Sequence, residues 1–86
     1  MDYQYAGYSK ADAEKYMASL QSKGWRIIAP DLESFQRTMV KYGNSANLGA
    51  ANTLAEDFTS LAPGIVVSRI YDPRIKGTHL ELWIAK

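Results

Sequence analysis

The chain has 86 residues, with ten Lys and Arg against nine Asp and Glu for a formal charge of +1, 47% hydrophobic residues and no cysteine. That length supports one hydrophobic core and excludes two, so residues 1–86 are read as a single domain. The near-balanced charge excludes a basic coat for nucleic acid and an acidic mimic of it, and the missing cysteines exclude a disulfide framework, a thiolate zinc site and a cysteine nucleophile.

In chain order, Tyr3 to Tyr8 alternates aromatic with small or polar residues and predicts a first strand. Met1 to Tyr5 lacks the basic segment and apolar stretch of an export signal. Ser9 has the side chain of a helix N-cap, and Asp12 suits the positive end of the helix dipole. Ala13, Tyr16, Met17 and Leu20 then share one face of a first helix that stops at Gly24. Trp25-Arg26-Ile27-Ile28-Ala29 is aromatic and β-branched and ends at Pro30, which predicts a second strand.

Asp31 suits the cap of a second helix whose stripe is Leu32, Phe35, Met39 and Tyr42, with Gly43 as terminator. A third stripe, Leu48, Ala51, Ala55, Phe58 and Ala62, widened by Leu54 and Leu61, predicts a helix that ends in the turn Pro63-Gly64. Continuity of these two helices through Gly43 and Asn44 stays open. Ile65 to Tyr71 and Thr78 to Ala85 read as a hairpin around Asp72-Pro73-Arg74-Ile75-Lys76-Gly77. The longest apolar run, Ile65-Val66-Val67, falls far short of the roughly 20 residues that span a bilayer. The expected fold is therefore α+β, a two-layer sandwich with a mixed four-stranded sheet, helices on one face and the order β-α-β-α-α-β-β, in a cytoplasmic protein without membrane contact.

A sheet with helices on one face leaves the other to solvent or to a partner. In the predicted hairpin, Leu80, Leu82, Ile84, Val66 and Ile70 fall on the helix side, while His79, Glu81, Trp83, Val67, Arg69 and Tyr71 face outward. As a solvated face, this second set makes an Arg69–Glu81 ion pair beneath Trp83 and Tyr71. As an interface, Arg69, Tyr71, His79, Glu81 and Trp83 form a partner-binding patch, since Trp, Tyr and Arg carry most binding energy at interfaces. The expected partner is a protein, a second copy of the chain, or both, with a dimer favoured.

Other features point more weakly to chemistry. Gly43 to Gly49 precedes a helix, so its backbone N–H groups suit a phosphate, with Asn44, Ser45 and Asn47 in the loop and Arg37 and Lys41 nearby in sequence. This supports an alternative reading as a small-ligand or nucleotide binder, although neither phosphate-loop spacing is present. Tyr3, Tyr5, Tyr71 and Trp83 raise a base-stacking sheet, against which stand the balanced charge and the absence of an RNP-type motif. His79 is the one histidine and the only basis for a minimal hydrolase. Asp72, Glu81 and His79, all on the predicted hairpin, raise a minimal metal site. No triad or paired-carboxylate spacing supports either, so no catalytic residue, metal or cofactor is expected.

Leu20-Gln21-Ser22-Lys23-Gly24-Trp25-Arg26-Ile27-Ile28, together with Leu80-Glu81-Leu82-Trp83-Ile84-Ala85-Lys86, resembles a family of short bacterial and phage proteins of unknown function in which a helix ends in Gly-Trp and a last strand closes the sheet. The resemblance implies a helix C-cap with Trp plugging the seam between helix and sheet. The reading that results is a small non-catalytic binding protein, of the kind that phages and mobile elements use to modulate host proteins.

Overall fold

The computed structural model describes the chain from Met1 to Lys86. Its elements are β1 (Asp2–Ala6), α1 (Lys10–Ser22), β2 (Asp31–Leu32), β3 (Met39–Tyr42), a 3-10 turn (Ser45–Asn47), α2 (Leu48–Leu61), β4 (Ser68–Tyr71) and β5 (Leu80–Ala85). The class is α+β, with two helices and one mixed sheet of five strands, not four, in the order β2-β1-β5-β3-β4.

The first helix follows its local signals. Ser9 Oγ accepts from the Asp12 N–H at 3.1 Å. Gly24 takes φ 101°, and the N–H groups of Gly24 and Trp25 return to the carbonyls of Gln21 and Leu20, closing orphan acceptors at the helix end. The chain that follows is not the strand expected over 25–29. Side chains and the N-terminus hold it instead: Trp25 Nε1 donates to Asp57 at 2.8 Å, Gln21 Nε2 to the Ile27 carbonyl at 2.8 Å, and the Met1 ammonium to the Arg26 carbonyl at 2.8 Å. Sheet pairing starts only after Pro30, where Asp31 and Leu32 lie parallel to Gln4 and Tyr5.

The helix expected from Asp31 is replaced by extended chain. Thr38 and Val40 are buried while Met39 and Lys41, which alternate with them, are only partly so, a period of two that a β-branched pair favours over a helix. Thr38 Oγ1 accepts from the Ala85 N–H at 3.0 Å, which fastens the start of β3 to the end of β5. The order is thus β-α-β-β-α-β-β.

The C-terminal hairpin is also replaced. β3 lies between its two expected arms, antiparallel to β5 and parallel to β4. Two parallel β-α-β units result, β1-α1-β2 and β3-α2-β4, and β5 joins them by pairing with β1 and β3.

Register assigns the faces. Tyr3, Leu82 and Val40 align across three strands and are buried, as are Tyr5, Ile84 and Leu80 on the same side. Tyr3 donates its hydroxyl to the Ala13 carbonyl of α1 at 2.8 Å, and burial raises its phenol pKa, so it stays a donor. Tyr16 of α1 meets Phe58 of α2 edge-on at 5.3 Å. Burying a side chain such as Phe58 contributes about 1.5–3 kcal/mol. No helix is long and apolar enough to cross a membrane.

Candidate functional site

The side of the sheet turned away from this core is built from Gln4, Met39, Lys41, Ile70, Glu81 and Trp83, which register places together. Trp83 is its centre. The connection from β2 to β3 passes the C-terminal ends of β1 and β5, where the Glu33 N–H donates to the Tyr5 carbonyl and Thr38 meets Ala85. That path brings Phe35 edge-on to the indole at 5.0 Å. The Lys41 ammonium stands 4.6 Å from the ring centroid, and Trp83 Nε1 donates to Glu81 Oε1 at 3.0 Å. Three neighbours therefore fix one aromatic side chain that remains partly exposed.

Beside Trp83 lies an open groove of about 540 Å³ lined by Lys41, Asp72, Arg74, Ile75, Lys76, His79, Glu81 and Trp83. Its far wall is the 72–79 loop. Ile75 is only 8% exposed, because it packs onto Gly43, where even a β-carbon would collide with the Ile75 backbone. Asn47 Nδ2 donates to the Gly77 carbonyl at 2.8 Å and holds the same loop from the other end. Arg74 donates to Asp72 from its backbone at 3.0 Å and from its guanidinium at 3.0 and 2.8 Å. These bonds hold the Asp72 carboxyl at about 2, well below the usual carboxylate range. His79 Nε2 lies 3.1 Å from Asp2 Oδ2 at the mouth of the groove.

The expected partner patch is thus divided. His79, Glu81 and Trp83 share the groove. Arg69 and Tyr71 do not, because β4 takes its register from β3: Arg69 aligns with buried Val40 and Tyr71 with Tyr42, on the side of the helices. Arg69 Nε donates to Asn52 of α2 at 2.9 Å and Nη1 to the Val67 carbonyl at 2.9 Å, so the expected Arg69–Glu81 pair is replaced. Tyr71 is 56% exposed and tilts against Tyr42 at 5.8 Å. Ile70 correspondingly moves to the open face. Val66 and Val67 also exchange their expected roles, Val67 being buried and Val66 83% exposed.

The residues of the alternative ligand site are not assembled. Arg37 precedes β3 at the end opposite Gly43, and Lys41 extends over Trp83. The small cleft at the loop is lined by Tyr42, Gly43, Asn44, Ser45 and Tyr71. Asn44 Oδ1 accepts from the Ala46 N–H at 2.9 Å within its own loop and Asn47 donates to Gly77 of the 72–79 loop, so two of the three polar side chains are already engaged within the protein. Asp72, Glu81 and His79 each have another partner and do not form a cluster that could hold a metal ion. His79 and Asp2 are both exposed to water, and no hydroxyl donates to the pair.

The helical stripe over 31–42 hides the place of Phe35, Met39 and Lys41 beside Trp83. The alternation of Thr38, Val40 and Tyr42 with Met39 and Lys41 was the signal for their side of the sheet. Comparison with protein-family models, with curated proteins and with solved structures finds no match.

Proposed function

We propose that this chain is a non-catalytic binding protein that engages an acidic segment of a protein partner through the groove beside Trp83. The observation that carries this reading is the fixed indole. Held by Phe35, Lys41 and Glu81, it needs little ordering when a partner arrives, and aromatic anchors of this kind carry most binding energy at interfaces. Charge supplies the partner's chemistry. Lys41, Arg74 and Lys76 line the groove against Asp72 and Glu81, and with Arg74 paired to Asp72 the two lysines outnumber the one remaining carboxylate. An open groove of about 540 Å³ accommodates a few side chains of an extended segment. We place this action in the cytoplasm, in keeping with a chain that lacks cysteine.

Selection of a displayed random-peptide library on the wild-type chain tests the proposal. Enriched peptides should carry Asp or Glu beside an apolar residue. Trp83→Ala should weaken them on the order of thirtyfold, as loss of a central aromatic anchor does. Lys41→Glu should remove the acidic preference. Failure to enrich any acidic sequence, or equal binding by Trp83→Ala, overturns the reading.

A further inference from the structure

We propose that β4 pairs antiparallel with β4 of a second copy about a two-fold axis through Ile70, setting Arg69 opposite the partner's Tyr71. β4 is an edge strand. The N–H groups of Ser68 and Asp72 donate inward, to the carbonyls of Thr38 and Tyr42 on the β3 side. The period of two gives Ile70 the same direction and leaves the N–H and C=O of Arg69 and Tyr71 pointing away from the sheet, a free template for another strand. Exposed Val66 and Tyr71 flank the same edge. The 72–77 loop folds back onto Gly43, on the β3 side, and leaves this edge clear.

The choice of partner and register follows from the side chains. With Ile70 on the axis, Arg69 exchanges both backbone hydrogen bonds with the partner's Tyr71, and the guanidinium lies beside the phenol on one face. The axis repeats this pair, as an isologous contact requires. The Val67 carbonyl then faces the partner's Pro73, which has no N–H to give. Arg69 Nη1 already donates to that carbonyl at 2.9 Å, so no acceptor is left orphaned. Sliding one strand by two residues sets Arg69 against its own copy, and sliding it the other way sets Arg69 against proline. Only the register centred on Ile70 avoids both. With strands about 4.8 Å apart, β3 and its copy stand roughly 14 Å from each other, which leaves room for both α2 helices on the shared face. The groove beside Trp83 lies on the opposite face of the joined sheet and takes no part in the pairing.

The absence of cysteine makes the test direct. Across the axis, residue 70 meets itself at a non-hydrogen-bonded position, with about 4.5 Å between Cα atoms, near the lower limit for a disulfide. Ile70→Cys should form a disulfide dimer on mild oxidation. Ser68→Cys, whose copies lie roughly 14 Å apart in this register, should not. Sedimentation of the wild type should give a dimer, and Arg69→Pro, which removes the outward N–H and the side chain's bonds to Asn52 and Val67 but none of the backbone bonds to β3, should give a monomer with an unchanged circular-dichroism spectrum. A wild type that stays monomeric at millimolar concentration, or Ser68→Cys cross-linking as fast as Ile70→Cys, overturns the pairing. Neither readout depends on peptide capture in the groove.

Discussion

Trp25 and Asp57, 32 positions apart, are joined by a 2.8 Å hydrogen bond from the indole to the carboxylate that ties the chain just beyond α1 to the C-terminal half of α2. The bond is partly buried and charge-assisted, and the same indole packs against the core. Trp25→Phe keeps much of the packing and abandons the carboxylate. We expect a loss of about 1.5–3 kcal/mol in urea denaturation, and a double-mutant cycle with Asp57→Ala should recover most of it as coupling.

Gly43 is required for space. A β-carbon there would strike the backbone of Ile75, so Gly43→Ala must push the 72–79 loop away from β3. The expected cost is about 1–3 kcal/mol, the range for overpacking. The loop also walls the groove, so the substitution should weaken peptide capture as well as stability. Thermal denaturation and the binding assay together check both effects.

The pair Asp72–Arg74 makes stability depend on acid pH. The folded-state value of Asp72 is about 2, below the roughly 3.9 of an unfolded aspartate, so its contribution is present above the unfolded value and fades as pH falls through the folded one. Denaturation of wild type and Asp72→Asn should therefore differ at neutral pH, and the difference should shrink between about pH 4 and pH 2. A gap that stays constant over that interval would show that the carboxylate contributes no charge-dependent stability.

Tyr3 is buried at the meeting of β1 and α1, where its hydroxyl donates to Ala13. Tyr3→Phe keeps the ring and leaves that carbonyl with one partner fewer. The expected cost in chemical denaturation is about 0.5–1.5 kcal/mol.

These features divide by how local their causes are. Ser9, Asp12 and Gly24 bounded α1 through contacts within a few residues, and the stripe from Ala51 to Ala62 marked α2 for the same reason. The alternation of Leu80, Leu82 and Ile84 likewise revealed the inner side of β5, and with it the outward positions of Glu81 and Trp83. Leu32, Phe35, Met39 and Tyr42 match a helical stripe, and only the pairing of β3 with β4 and β5 decides in favour of Val40 and Thr38. That insertion joins residues far apart in the chain. Alternation in β4 defines two sides but not which one faces the helices, and it is the register with β3 that turns Arg69 and Tyr71 to the face opposite Trp83.

Nuclear magnetic resonance offers the most direct test of the groove beside Trp83. Titration of the labelled chain with an acidic peptide from the display selection should shift the Trp83 indole N–H and the amides of Lys41, Ile75, Lys76 and Glu81. The Trp25 indole, bonded to Asp57, should stay in place. Shifts confined to Asn44, Ser45 and Asn47, with the Trp83 indole unmoved, would contradict the assignment of this face as the binding surface.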